Sequence, residues 1–323
     1  VKKVLPAAAA IIGLALVAWQ IRSVGLGEVV EGFRAVGPMG FAGVLVLSFL
    51  RYTVRSVAWV ALMTPQEGRP GVPLRSAIGA TIGGDALGNL SFLSLLVSEP
   101  AKALYVTSHI PADEALGALA AENFFYSVSV ALIITAGTLT LLATFVLPEA
   151  WHNMAMVSLL LMGVILTAAI WLVWKRPGMT RWLRAHDRTA VGRLVGRLQD
   201  LERITYRGLR ASPWRLGLVV ACQVLFHVLS LLESWWTLHL LTGPTATLLN
   251  AFLFDTLNRV INVAFRLVPL RVGVDEVSAS ELSGLIGLGS ATGLTMALVR
   301  KLRVLTWVAV GLAYVSRRAV TRR

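Results

Sequence analysis

The residues able to do chemistry in this chain stand inside apolar runs. In Ala251–Leu267, Asp255, Arg259, Asn262 and Arg266 fall within an arc of about 60° at helical periodicity, and Asn258 flanks them. Two readings fit this stripe. Asp255 and Arg259 are an i,i+4 pair that locks helices together, or the stripe faces a site. Ser48, Arg51 and Arg55 share one face of the run Pro38–Met63. Glu122, Tyr126 and Ser129 share a face of the run Ala115–Pro148, and His227, Ser230 and Ser234 share one of Leu216–Leu241, with Glu233 at its edge. Each set is either glue between helices or part of a site.

Two further clusters interrupt the apolar pattern. One is Ser98-Glu99-Pro100-Ala101-Lys102, read as a charged break with a helix-starting proline, after a glycine-rich stretch holding Asp85 and Asn89. The other is Pro269–Glu276, with Arg271 and Asp275, and it precedes Arg300, Lys301 and Arg303. A charge at the bilayer centre costs at least about 2.5–3.5 kcal/mol on insertion scales, so several such residues imply pairing or use. The candidates are nine cations (Arg51, Arg55, Lys102, Arg259, Arg266, Arg271, Arg300, Lys301, Arg303) and seven acids (Asp85, Glu99, Glu122, Glu233, Asp255, Asp275, Glu276). The cationic excess suits an anionic group such as a lipid phosphate, which arginine holds in two-pronged fashion. A desolvated Glu99 or Glu276 could also carry a coupling proton.

The elements that must position these residues are membrane helices. Of 323 residues, 56% are hydrophobic and only 15% charged, far from the roughly 25% charge of soluble domains. Val4–Ile21, Asn123–Pro148, Ala150–Trp174 and Ser234–Phe254 carry no charge and reach the roughly 18–20 residues that cross a bilayer. Lipid cannot satisfy an open backbone, so such runs are helices. The fold class expected is an all-α, polytopic helical bundle of about eight segments. Val4–Ile21 resembles a signal peptide, but Trp19, Gln20 and Arg22 stand where cleavage favours small residues, so a first membrane helix is expected.

The net charge of +13 lies between and after the apolar runs, which points to positive-inside topology rather than nucleic-acid binding. Loop 175–212 is strongly basic, with ten Lys/Arg between Lys175 and Arg210. With both termini it is placed in the cytoplasm of a bacterial cytoplasmic membrane. The expected organisation is a first membrane half over 1–174, the basic loop, and a second half over 213–323, forming one integrated membrane domain. Within the loop, Val191–Arg210 reads as an amphipathic helix on an anionic leaflet or as a solvated hairpin. Cytoplasmic ends require an even number of crossings in each half, whereas three are clear in each. Broken or re-entrant helices at the Glu99 and Glu276 clusters remove both deficits. Glu99 precedes Asn123 by 24 residues, as Glu276 precedes Arg300, which suggests a weak two-half repeat. Leu282–Ser316 reads as one span or two.

The lone Cys222 excludes an internal disulfide. His109, His152 and His239 are scattered, so no metal site is expected of them. HExxH, Walker A, GxSxG and paired-Asp motifs are missing, so no cofactor and no ATP-driven pumping is expected.

Gly84 through Asn89 to Ser98-Glu99-Pro100-Ala101-Lys102 is similar to the Asn, then Gly-Glu-Pro-x-Arg/Lys element of the lysylphosphatidylglycerol synthase transmembrane-region family, also called flippase-like or UPF0104. Pro269 to Glu276 resembles that family's Pro-x-x-x-Gly-x-x-Glu element, and Gly287-Leu288-Gly289 with Arg300 completes it. Ser98 stands where the family usually has Gly, and Asn123 where it often has Arg after Glu122, so the first half departs from the family pattern at these two positions. The resemblance is to the membrane module, with no soluble aminoacyl-transferase domain legible in these residues. It implies a lipid flippase acting on an anionic or modified lipid, with two half-sites, Glu99/Lys102 and Asp275/Glu276, facing a central cavity. The alternatives are a non-transporting partner that presents lipid to a separate synthase or glycosyltransferase, and an intramembrane transferase. The partners expected are membrane lipids and a lipid-modifying enzyme.

Overall fold

The computed structural model describes residues 22, 26–63, 71–91, 94–174, 206, 212–265 and 273–321. The predicted first helix, the amphipathic segment Val191–Arg210 apart from Tyr206, Arg266 and Arg271 lie outside these residues. The described elements are helical, with no strand among them. In chain order they are α1 (Leu26–Leu62), α2 (Leu74–Asn89), α3 (Ser94–Tyr105), α4 (Ala112–Thr144), α5 (Glu149–Trp174), α6 (Pro213–Thr242), α7 (Leu248–Ala264), α8 (Val274–Leu285) and α9 (Ser290–Thr321).

The helices at Leu26–Leu62, Ala112–Thr144, Glu149–Trp171 and Pro213–Thr245 are long and apolar enough to cross a membrane, the last range including the 3-10 turn Gly243–Thr245 after α6. The chain is an all-α membrane protein. Helix α9 matches them in length at 32 residues but carries Arg300, Lys301 and Arg303 near its middle. The expected ambiguity over Leu282–Ser316 resolves here. Helix α8 ends at Leu285, a turn with Gly287 and Gly289 at positive φ follows, and α9 runs unbroken.

Two boundaries differ from expectation for local reasons. Helix α1 begins a dozen residues before Pro38 and bends at Gly37, whose φ of 58° lies outside the helical region; Pro38, lacking an N–H, follows. The charged cluster at Ser98–Lys102 is not a break. It lies within α3, and the interruption falls between Asn89 and Ser94. Pro100 therefore sits inside a helix rather than starting one, and its missing N–H leaves the Leu96 carbonyl without its usual helical donor.

Length distinguishes the two kinds of helix. Residue rise makes α2 and α7 about 24–26 Å long and α3 and α8 about 18 Å, against a hydrocarbon core of about 30 Å. Each short pair lies between long helices: α1 and α4 flank α2–α3, and α6 and α9 flank α7–α8.

Packing does not follow chain order. Helices α2, α3, α8 and α9 pack most extensively on one another, and α1, α4, α5, α6 and α7 form a second group built on the α1–α6 pairing. Sequence halves are thus interleaved, because α9 lies along α2 and α7 along α4. Close approach has a sequence cause at Gly293, where a Cβ would stand 1.9 Å from the Ala279 carbonyl oxygen. The α8–α9 turn is then tied by Ser283 Oγ donating to Gly289 O at 2.7 Å and Ser280 Oγ to Ser290 O at 3.0 Å.

Candidate functional site

Four helices turn the same kind of face inward. Ser48, Arg51, Tyr52 and Arg55 on α1 are spaced i, i+3, i+4, i+7, which puts them on one side of the helix. The spacing recurs at Asn123, Tyr126, Ser127 and Val130 on α4, at Asp255, Asn258, Arg259 and Asn262 on α7, and at Arg300, Arg303, Val304 and Trp307 on α9. Asp85 and Asn89 of α2 and Ser98, Glu99 and Lys102 of α3 complete the wall. Together they line a partly open cavity of about 550 Å³ between the two helix groups. That volume lies within the ordinary range for ligand pockets, about 300–1,000 Å³.

Ion pairs hold the wall in place. Arg55 grips Glu122 with both prongs, Nε to Oε1 at 3.1 Å and Nη2 to Oε2 at 2.7 Å, and Nη2 also donates to Asn123 Oδ1 at 3.1 Å. Its guanidinium lies 4.6 Å from the Tyr126 ring centroid, a cation–π contact. Gln223 donates to the same Glu122 at 3.2 Å. Arg51 lies 4.6 Å from the Phe226 ring and donates to Glu233 at 2.9 Å, while Arg303 from α9 takes the other oxygen of Glu233. Lys102 Nζ bridges Asp85 at 2.8 Å and Glu99 at 2.9 Å. Gly84 makes room for Lys102, since a Cβ there would stand 2.5 Å from its Cγ. Arg259 Nε donates to Asp255 at 2.9 Å, and Ser230 caps the same carboxylate at 2.7 Å. On α7 the i,i+4 pair forms, and its arginine lines the cavity.

Of the predicted residues, Glu99, Lys102, Asp275, Arg300, Arg303, Arg259, Asn262, Asp255, Asp85, Asn89, Asn123, Arg51 and Arg55 come together on the lining. Three candidate acids, Glu122, Glu233 and Glu276, do not reach it. Glu122 lies behind Arg55 with 1% exposure, and Glu276 is fully buried. The carboxylate of Glu276 accepts from the Gly273 backbone N–H at 2.8 Å and pairs with Lys301. As the third residue of α8, it secures that helix start instead of facing the cavity.

Arg300 differs from its neighbours. Its guanidinium donates to Ser234 Oγ at 3.0 Å and to the Phe254 carbonyl at 3.4 Å, without a carboxylate partner among the described residues. Sequence reasoning missed Tyr52, Ser91, Ser127 and Trp307 on the lining. A signal for Trp307 was present in its spacing of four from Arg303 and seven from Arg300.

The wall carries seven cations against four acids, an unusual concentration of charge for a helical membrane protein, and it defines a bundle built around a polar interior. The chain belongs to the lysylphosphatidylglycerol synthase TM region family, which it matches over residues 7–313. No curated protein and no solved structure matches it. Membership makes this a membrane protein of a lipid-related family.

Proposed function

We propose that the chain moves an anionic or modified lipid between leaflets of a bacterial cytoplasmic membrane, its headgroup passing through the charged cavity. The observation that carries this reading is a 550 Å³ polar cavity, with a cationic excess on its lining, inside an apolar helical bundle. Burying so many charges at membrane depth is costly unless they are paired or used. Most are paired here, and Arg300 remains open to an anion.

The packing supports a route for movement in this reading. The cavity lies between the two helix groups, and most of the ion pairs described stay within one group. Arg303–Glu233 crosses between them, as do Arg300–Ser234 and the Ser56–Thr81 hydroxyl contact at 3.1 Å. An anionic headgroup competing for Arg300 and Arg303 would loosen those ties, and Glu233 would keep Arg51. The short pairs α2–α3 and α7–α8, each helix below bilayer thickness, are read as segments that enter and return around the cavity. The charge of loop 175–212 and of both termini supports a cytoplasmic side for them in this reading.

Reconstitution into liposomes with leaflet-labelled lipids tests the reading. Wild type should equilibrate an anionic lipid between leaflets, and Arg300→Gln should slow this by at least about tenfold. Equal rates for the two proteins, or no movement above empty liposomes, would sink it.

A further inference from the structure

Helices α1 and α6 pack antiparallel. Gly40 lies against Leu240, Gly43 against Trp236, and Arg51 over the Phe226 ring, so numbers fall on one helix as they rise on the other. Helix α4 runs against α1, since Trp59 donates to the Ala115 carbonyl at 3.1 Å while Arg55 meets Glu122. Helix α9 runs along α1, from Gly32 beside Thr295 to Phe49 beside Trp307, and so runs against α6. Thus α1–α4 and α6–α9 repeat one order: a long helix, two short ones, then a long helix antiparallel to the first. The contacts between them agree, since α2 lies along α9 as α7 lies along α4. Because α1 and α6 are antiparallel, the second copy is upside down with respect to the first.

Individual contacts obey the same relation. From α1 to α6, Arg55 to Glu233 and Phe49 to His227 are each 178 positions apart. From α4 to α9, Glu122 to Arg303 and Tyr126 to Trp307 are each 181 positions apart. Under these two offsets the Arg55–Glu122 pair becomes Glu233–Arg303, the same ion pair with its charges exchanged. The Tyr126–His227 stack, at 6.4 Å and 13°, becomes the Trp307–Phe49 stack, at 6.0 Å and 17°. An ion pair and a ring stack of different chemistry thus share one geometric rule.

The two ion pairs stand toward opposite ends of the cavity. Taking the Arg51–Phe226 contact as a reference level, Arg55 is one turn further along α1, about 6 Å, and Glu233 two turns further along α6, about 10 Å. In antiparallel helices these directions are opposite. Arg55–Glu122 therefore ties α1 to α4 on the side where α6 begins, next to loop 175–212. Glu233–Arg303 ties α6 to α9 toward the side where α6 ends. In each tie the arginine lines the cavity and the acid lies behind it.

We infer that α1–α4 and α6–α9 are inverted repeats, and that Arg55–Glu122 and Glu233–Arg303 are equivalent gates, one for each face of the membrane. The boundary between helix groups now runs through Glu233–Arg303. Exchanging the repeats gives a second arrangement, in which the boundary runs through Arg55–Glu122 and the cavity opens to the other face. The use of such gates rests on the transport reading above, but their existence does not, and neither depends on what the cavity carries.

Face-specific labelling of one cavity reporter tests this. Ser127 on the lining becomes the reporter as Ser127→Cys, in the full chain with Cys222→Ser. A membrane-impermeant maleimide is applied to right-side-out and to inside-out membrane vesicles. Glu122→Gln should speed labelling at least about threefold from the face of loop 175–212 and leave the opposite face at the starting rate. Arg303→Gln should do the reverse. Faster labelling of both variants from the same face, faster labelling of either from both faces, or no change in either, overturns the inference. If Glu122→Gln does not fold, Arg303→Gln decides alone, because it leaves Glu233 held by Arg51. It must then speed labelling from the face opposite loop 175–212 and from that face only. Face-specific labelling without leaflet exchange removes the transport reading and keeps the gates. Leaflet exchange with labelling indifferent to the face does the opposite.

Discussion

Glu233 on α6 is shared by two arginines from different helix groups, Arg51 of α1 at 2.9 Å and Arg303 of α9. One partner belongs to its own group and the other spans the cavity boundary. The two pairs therefore differ in what their loss should do.

Removing the crossing partner should free the groups without stranding the acid. Arg303→Gln leaves Glu233 with Arg51, whereas Arg51→Gln leaves the crossing pair intact. Cysteines placed along the cavity face of α9 should react faster with a water-soluble thiol reagent in Arg303→Gln, and at wild-type rates in Arg51→Gln. Equal labelling in both variants would show that Arg303 is not a tie between groups.

Arg300 and Lys301 are adjacent but should behave oppositely. Lys301→Met leaves Glu276, fully buried, without its cation, and breaking such a pair costs about 3–5 kcal/mol. Arg300→Gln strands no carboxylate. The melting temperature in detergent should fall sharply for the first and stay near wild type for the second, while lipid movement is lost in both.

Arg55→Lys should not be conservative. Lysine cannot reproduce the two-pronged bond to Glu122 or the flat contact with Tyr126. A loss of about 1–3 kcal/mol is expected, read as a lowered melting temperature. In a double-mutant cycle, Arg55→Lys with Glu122→Gln should cost less than the sum of the single changes.

Two glycines offer a packing test with an internal control. Gly293→Ala would place a Cβ 1.9 Å from the Ala279 carbonyl, a backbone atom that cannot step aside, and should cost at least about 1–3 kcal/mol as α8 and α9 are forced apart. Gly217→Ala, inside α6 with nothing within 4 Å, should be neutral or stabilising by about 0.5–1 kcal/mol. Thermal unfolding of the two variants should move in opposite directions or differ by several degrees.

Charges in apolar sequence were the legible part. The Arg51/Arg55 face and the Asp255–Asn262 stripe follow from helical periodicity alone, and both line the cavity. Partners across helices were not legible. Glu276 looked like a site acid because nothing in its surroundings in sequence says that Lys301, 25 residues on, would cover it. That pairing depends on the angle set by the Gly287–Gly289 turn. Tyr52 and Trp307 were hidden because an aromatic in an apolar run reads as lipid-facing or core. The α3 boundary was misplaced because Pro100 resembles a helix start, while α2 ends at Asn89 and the non-helical Leu90 and Ser91 that follow carry no charge to mark it.

The grouping of helices has an electrical consequence. At the cavity and just behind it, α2, α3, α8 and α9 carry Lys102, Arg300, Lys301 and Arg303 against Asp85, Glu99, Asp275 and Glu276. The other group carries Arg51, Arg55 and Arg259 against Glu122, Glu233 and Asp255. Each set of described site residues is neutral by itself. Relative displacement of empty groups would carry no net site charge through the field, so the membrane potential would do little work on it. With one anion bound, the same displacement would be worth up to about 2.3 kcal/mol per 100 mV. The potential would thus act on the loaded form and leave the empty one to return unaided.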